Sequence, residues 1–135
     1  MTETPLERLR HDLRKVDWKI VKLLNERADL SIQIGKLKAE SGVEVYDAAQ
    51  EALIFDSLNT MNGAVLPEKY LKAIFREIIS ASRALQKPMT VAYLGPEATF
   101  SHLAARSYFG SSTTFSPQAT IFHVFDEVER GKVQW

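Results

Sequence analysis

The chain has 135 residues, with 17 Lys and Arg against 17 Asp and Glu, so its formal net charge is zero. The lack of cysteine excludes disulfide frameworks, thiolate metal sites and cysteine nucleophiles. The balanced charge disfavours a nucleic-acid binder, and no apolar run approaches the roughly 18 residues of a membrane span. Because no signal peptide is visible at the start of the sequence, we expect a cytoplasmic protein.

A long apolar stripe predicts the first helix. Its residues recur at steps of three and four, at Leu6, Leu9, Leu13, Val16, Ile20, Leu23, Leu30, Ile34 and Leu37. A helix over 6–38 would be about 50 Å long, whereas an average helix has only about 11 to 12 residues. Two shorter helices of the same chain cannot easily cover this stripe, so we expect a partner chain. Gly42 supplies the stop.

Two shorter helices follow. The second is predicted to begin at Asp47, whose carboxylate can cap backbone N–H groups, with Gln50 three residues later. Its apolar face is Ile54, Phe55, Leu58 and Met61, and Asn62-Gly63 ends it. Pro67 suits the first turn of the third helix, where its missing N–H costs nothing. The apolar stripe of that helix is Leu71, Ile74, Phe75, Ile78, Ile79 and Leu85.

Gly and Pro become more frequent in the last third of the chain, which favours a division into two domains. We interpret 1–88 as an all-helical domain and 89–135 as the start of an α/β domain. Its predicted elements are a strand over 90–94, helices over 101–109 and 121–130, and the opening of a strand at 133–135. This part is close to the limit of about 40 residues below which domains rarely fold unaided, so we interpret it as a fragment.

Polar residues interrupt the apolar faces. Arg27 replaces the apolar residue expected between Leu23 and Leu30, and an unpaired buried guanidinium costs several kcal/mol. Lys38 lies on the same side of the helix, about 16 Å further along. Arg10 lies at the edge of the stripe.

The other two helices contribute polar pairs at i,i+4 spacing, where side chains are neighbours. These pairs are Asp47 with Glu51, and Ser82 with Gln86. Each residue has an ordinary explanation: Arg10 and Lys38 as solvated cations, Asp47 as a helix cap, Ser82 as a small packing residue and Gln86 as a surface residue. Arg27 has its own alternative, an ion pair with Glu26, Asp29 or Asp56. The occurrence of three cations, two acids and two neutral polar groups together favours a site for an anionic ligand.

Arg10 and Lys38 are about 42 Å apart on a straight helix, too far for one small ligand. If both serve one site, Arg10 must come from an antiparallel partner chain. Dimerisation would then complete the site and also cover the apolar stripe.

Several motifs occur in order along the first part of the chain. They are Pro5-Leu6-x-x-Leu9-Arg10, Asp17, Leu24-x-Glu26-Arg27, Gly35-Lys36-x-Lys38, Asp47-x-x-x-Glu51 and Ser82-x-x-x-Gln86. As a set they resemble the all-helical class of chorismate mutases. The segment from Val91 to His102, with Gly95-Pro96-Glu97, resembles the opening of prephenate dehydratases. The whole chain is therefore similar to the front of the bifunctional chorismate mutase/prephenate dehydratases of phenylalanine biosynthesis.

The resemblance implies a mainly helical, intertwined homodimer that converts chorismate to prephenate by a pericyclic rearrangement, with no covalent intermediate and no cofactor. It implies that Arg10 of the partner chain and Arg27 bind the two substrate carboxylates, assisted by Ser82. Lys38 and Gln86 would donate to the ether oxygen. Glu51 and the backbone of Asp47 would hold the ring hydroxyl. The substrate-binding set also includes Gln50, where many relatives have Arg, and the implied catalytic residues are Lys38, Gln86, Arg27 and Glu51.

The resemblance places the catalytic threonine motif of the dehydratases beyond residue 135, so we expect no dehydratase activity from this chain. Two other readings stay open. One is an isochorismate pyruvate-lyase on the same scaffold, and the other is a non-catalytic helical dimerisation module.

Overall fold

The computed structural model describes residues 2–61, 63 and 65–135, and the chain is mainly helical in these residues, as predicted. The elements in chain order are α1 (Pro5–Ser41), α2 (Ala48–Met61), α3 (Glu68–Gln86), β1 (Thr90–Leu94), α4 (Phe100–Phe109), β2 (Thr114–Gln118) and α5 (Ile121–Glu129). None of the described helices combines the length and apolarity that a membrane span needs.

The ends of α1 are fixed by local signals in the sequence. At its start, Thr4 Oγ1 accepts a hydrogen bond from the Glu7 backbone N–H at 3.2 Å, and the Glu7 carboxylate accepts one from the Thr4 N–H at 2.8 Å. This reciprocal capping satisfies two N–H groups that have no partner within the helix. At its end, Gly42 adopts the left-handed conformation with φ 68°, which confirms the predicted stop.

The apolar stripe of α1 is exposed in the single chain. Leu9, Leu13 and Leu30 keep 58–66% of their surface accessible, and the remaining leucines and isoleucines of the stripe are similarly open. Arg27 itself is half-buried beside Ser82 of α3, although one chain leaves most of the stripe uncovered. The partner chain expected to cover the rest of the stripe stays a prediction.

The starts of α2 and α3 differ slightly from the prediction. Asp47 Oδ1 accepts a hydrogen bond from the Gln50 backbone N–H at 3.0 Å, so the predicted cap is confirmed, and α2 itself begins one residue later. Pro67 precedes α3 instead of occupying its first turn, because its ψ of 139° is extended. The predicted end of α2 at Asn62 lies outside the described residues, and α3 packs against both α1 and α2.

The C-terminal part contains a two-stranded parallel sheet. The predicted strand is confirmed as β1, and it pairs with β2 in a register that begins at Thr90 opposite Thr114. We predicted no strand at β2, whose sequence Thr-Phe-Ser-Pro-Gln lacks the apolar alternation of a typical strand. Residues 134–135 hydrogen-bond to β1 on its other edge, as expected for an opening strand, through Gln134 N–H to Thr90 O and Ala92 N–H to Trp135 O.

The end of α4 packs tightly against α3. Met89, Val91 and Phe109 form a buried apolar cluster, with Tyr46 and Phe115 against it. Gly110 follows Phe109 with φ 79°, and a Cβ at this position would lie 2.5 Å from Ser80 Cβ. Only glycine permits this approach, which brings the backbone carbonyl of Phe109 next to the side chains of α3.

Candidate active site

A pocket of about 140 Å³ lies between α1, α2 and α3. It brings together seven of the eight residues predicted to bind a ligand, namely Arg27, Lys38, Asp47, Gln50, Glu51, Ser82 and Gln86. Apolar residues of all three helices complete its wall, namely Ile34, Ile54 and Ile79. We call this the three-helix pocket.

Arg27 reaches the pocket from the middle of α1. Its Nη1 donates a hydrogen bond of 2.6 Å to Ser82 Oγ, and that hydroxyl donates to the Ile78 carbonyl at 2.9 Å. Burial lowers the pKa of the half-buried Arg27 guanidinium from its usual value. Among the described residues no carboxylate lies within ion-pair distance of it, and Asp29 instead accepts a hydrogen bond from Gln33. The guanidinium is therefore available to an anion.

Lys38 is fixed by the backbone of the connection between α1 and α2. Its Nζ donates a hydrogen bond of 2.9 Å to the carbonyl of Val45. A lysine ammonium has three donors, so two are left for a ligand. In the part of the chain that the structure describes, Lys38 forms no ion pair closer than 4.0 Å.

Gln86 lies at the end of α3, against α1. Its Oε1 is buried and has no hydrogen-bond partner among the described residues. The close approach depends on Gly35, since a Cβ there would lie 2.9 Å from Gln86 Cγ. A buried amide with an unpaired oxygen is costly and marks a group that is placed for a ligand or a water.

Glu51 is the half-buried carboxylate of the pocket. Its Oε2 lies 3.1 Å from Arg83 Nε. Burial raises the pKa of Glu51 above its usual value, and the nearby Asp47 adds to this rise, whereas the charges of Arg83 and Lys38 oppose it. The carboxylate can accept a hydrogen bond from a ligand hydroxyl when it is ionised.

Sequence reasoning missed Arg83, which also lines the three-helix pocket and is only 4% exposed. The signal was present: Arg83 follows the buried Ile79 by one helical turn, so it lies on the apolar side of α3. This is the same anomaly that singled out Arg27 on α1.

Arg10 is the predicted ligand-binding residue that the single chain does not bring to the pocket. It lies in the second turn of α1, exposed to solvent, in a shallow depression with Thr4, Glu7 and Arg14. Arg27 and Lys38, by contrast, lie in the second half of the same helix.

Comparison with known proteins identifies the family of the chain. The family model for chorismate mutase type II matches residues 9–87, and the model for prephenate dehydratase matches residues 91–135. The first match covers more than half of the chain and includes every side chain of the three-helix pocket. The chain therefore belongs to the chorismate mutase type II family.

Individual relatives support the same family. The chain is 41% identical over 134 residues to a bifunctional chorismate mutase/prephenate dehydratase from Aquifex aeolicus, and 36% identical over 135 residues to one from Stutzerimonas stutzeri. In each comparison 96% of the chain is aligned, and it spans 37% of the length of the relative. A chorismate mutase structure (Form II) from Thermus thermophilus superposes with a TM-score of 0.61 and 31% identity, over 62% of this chain and 96% of that one.

Proposed function

We propose that the chain is a chorismate mutase, an isomerase that converts chorismate to prephenate in aromatic amino acid biosynthesis. The observation that carries the proposal is the presence of two cations, Arg27 and Lys38, that meet no carboxylate in the described structure and face one pocket. The substrate has two carboxylates, an ether bridge and a ring hydroxyl. A pericyclic reaction needs a folded, oriented substrate and stabilisation of the charge that develops on the ether oxygen.

The shared position of these residues in the three-helix pocket supports the following roles. Arg27, held by Ser82, binds one carboxylate through forked, charge-assisted hydrogen bonds. The Lys38 ammonium and the side-chain N–H of Gln86, which lie near one another where α1 meets the end of α3, donate to the ether oxygen, and these hydrogen bonds strengthen as the ether bond breaks. Glu51 accepts a hydrogen bond from the ring hydroxyl.

The two residues at the start of α2 complete this set. The backbone of Asp47 holds the ring hydroxyl together with Glu51. Gln50, a neutral side chain that lines the pocket, donates hydrogen bonds to the substrate.

The test is direct conversion of chorismate by the purified chain, with prephenate identified as the product. The matched inactive variant is Arg27→Ala, and a bicyclic diacid that mimics the folded transition state should inhibit competitively. Release of pyruvate from isochorismate, without prephenate formation from chorismate, would favour the lyase. If neither reaction occurs and the diacid does not bind, the chain is a helical dimerisation module.

We also propose that two chains form an intertwined antiparallel homodimer in which Arg10 of one chain enters the pocket of the other. Two features support this: the exposed stripe of α1, and the separation of Arg10 from Lys38 by nearly the length of the helix.

Subunit complementation tests this dimer. Arg10→Ala and Arg27→Ala are each expected to be inactive alone. A mixed dimer then holds one site with both changes and one intact site, so mixing and reannealing should restore up to about a quarter of the wild-type activity. If the mixture stays inactive while the wild type survives the same treatment, Arg10 does not act across an interface.

The remaining predictions concern organisation. We propose that residues 1–88 form the mutase domain and that residues 89–135 are the N-terminal fragment of a dehydratase-like domain, and the ranges of the two family matches support this division. The cytoplasmic location stays a prediction from the sequence.

A further inference from the structure

Arg83 is a buried cation that none of the roles above uses. We propose that Arg83 is a positioning residue that holds Glu51 in the mutase site, and that the backbone at Phe109 holds Arg83 in turn. The C-terminal segment thereby contributes to the geometry of the site. This inference rests on the proposed mutase function for its effect on activity, and it also makes a claim about Glu51 that is independent of activity.

The geometry of Arg83 fits a link between two parts of the chain. Its Nε lies 3.1 Å from Glu51 Oε2 on one side. Its Nη2 donates a hydrogen bond of 2.9 Å to the Phe109 carbonyl on the other. The guanidinium carbon is 5.3 Å from the centre of the Tyr46 ring and 5.5 Å from that of Phe109, so two aromatic faces flank the cation.

Because Arg83 is buried, these contacts restrict the position of its side chain. Arg83 is 4% exposed, and neither its Nη1 nor its Nε forms a hydrogen bond with the described residues, so Nε meets Glu51 as an ion pair. Water cannot replace the partners of a buried guanidinium, so the ion pair with Glu51 and the Phe109 carbonyl fix its position. Because an arginine side chain without such partners has many rotamers, losing the Phe109 carbonyl would leave both Arg83 and Glu51 less firmly held.

The Phe109 carbonyl is itself held against α3 by neighbouring contacts. The Ser111 N–H donates to the carboxylate of Glu77, and the Ser112 N–H donates to Ser80 Oγ at 3.2 Å. Gly110 closes the gap between them by its approach to Ser80. The end of α4 is therefore bound to the same helix that carries Arg83.

The charges around Glu51 determine the effect of removing Arg83. Two groups before α2 disfavour the ionised carboxylate of Glu51: the charge of Asp47 and, when it ionises, the Tyr46 hydroxyl. The positive charges of Lys38 on α1 and Arg83 on α3 favour it. Without Arg83, only Lys38 compensates the burial of the carboxylate. The pKa of Glu51 should then rise, and a protonated Glu51 is a poorer acceptor for the substrate hydroxyl.

The experiment compares Arg83→Met with Arg76→Met in the full chain. Arg76 is a second arginine of α3, and it lies over the Phe55 ring instead of beside a pocket carboxylate, so it is the matched control. In Arg83→Met, kcat/KM should fall by about tenfold or more at neutral pH. The acidic limb of its pH profile should move to higher pH, so that part of the activity returns as the pH rises. Arg83→Lys keeps the positive charge, so the acidic limb of its pH profile should lie between those of Arg83→Met and the wild type.

A measurement without substrate separates this inference from the proposed function. The carboxyl carbon of Glu51 can be titrated by NMR in both variants, with circular dichroism to confirm folding. A raised Glu51 pKa in Arg83→Met, but not in Arg76→Met, supports the inference even if the wild type does not convert chorismate, in which case the mutase proposal alone fails. If Glu51 titrates as in the wild type, the inference is overturned. If Arg83→Met does not fold, Arg83→Gln, which removes the charge but keeps a polar side chain, gives the same comparison.

The contribution of the C-terminal segment is tested by Gly110→Ala, which touches none of the pocket residues. The added Cβ should push the Phe109 carbonyl away from α3, and the Glu51 titration should shift in the same direction as in Arg83→Met, by a smaller amount. A Glu51 titration identical to that of the wild type in this variant would show that Arg83 holds its position without Phe109.

Discussion

Arg27 and Lys38 are each held by a neutral oxygen, the Ser82 hydroxyl and the Val45 carbonyl. Such contacts orient a cation without neutralising it, so the positive charge in the pocket is left for a ligand. Arg83 differs, because its guanidinium forms an ion pair with Glu51. The pocket therefore contains two kinds of cation, and only Arg27 and Lys38 are suited to bind a substrate with two negative charges.

Removing the Arg27 guanidinium should weaken binding of the transition state. For Arg27→Ala we expect a loss on the order of 3 kcal/mol, or about a hundredfold in kcat/KM, because buried charged contacts are worth about 2–5 kcal/mol. Steady-state kinetics with chorismate measures it. Arg130→Ala, which removes an exposed arginine at the end of α5, is the control and should leave kcat/KM unchanged. A loss of less than about tenfold in Arg27→Ala would contradict the assignment.

The role of Gln86 can be tested through pH. In the proposed role the amide of Gln86 donates to the ether oxygen at any pH, whereas a Glu in its place would donate only when it is protonated. Gln86→Glu should therefore be active at acidic pH and lose activity as the pH rises through the pKa of the new carboxyl group. The pH dependence of kcat/KM measures this. A profile identical to that of the wild type would remove Gln86 from the ether oxygen.

At the scale of the elements, the contact between α1 and α3 sets the shape of the site. Gly35 allows the end of α3 to approach α1, and this brings Gln86 next to Lys38 in the pocket. A glycine inside a helix costs about 1 kcal/mol relative to alanine. The close approach that it permits explains its presence here.

Gly35→Ala should therefore destabilise the protein despite the better helix propensity of alanine. The new Cβ would lie 2.9 Å from Gln86 Cγ, and overpacking of this kind costs about 1–3 kcal/mol. Thermal unfolding measures the change, and kcat/KM should fall with it because Gln86 is displaced. In Gly63→Ala, where the added Cβ meets no heavy atom of the described residues within 4 Å, the melting temperature should stay the same or rise. A variant Gly35→Ala as stable and active as the wild type would show that the two helices can separate freely.

At the scale of the whole molecule, the exposed apolar stripe of α1 is the feature that one chain leaves unsatisfied. Leu13 lies on this stripe and is 60% exposed, whereas Lys22 lies on the opposite side of the helix. A soluble chain rarely exposes so long an apolar surface unless a partner covers it. The proposed dimer places that surface between two copies.

A charge on the stripe should separate the chains. Leu13→Glu is expected to shift the sedimentation coefficient towards that of a monomer and to abolish most of the mutase activity, because each pocket would lose Arg10 of the partner. Lys22→Glu introduces the same residue on the other side of α1 and should stay dimeric and active. If Leu13→Glu sediments like the wild type, the stripe is not the interface.

Local patterns in the sequence determined the helices and the polar residues that interrupt them. The periodicity of α1, the cap at Asp47 and the stop at Gly42 act within a few residues, so they can be read without the fold. The same is true of Arg27, which stands out against its own helix. The family motifs also lie within these helices.

Tertiary structure alone decided which of these residues meet. The strand β2 has little apolar pattern of its own, and its pairing with β1 fixes it. The contact of Arg83 with Glu51 and the Phe109 carbonyl joins three segments that are far apart in the chain. Such contacts depend on how helices pack and how closely glycines let them approach, and that information is distributed over the whole sequence.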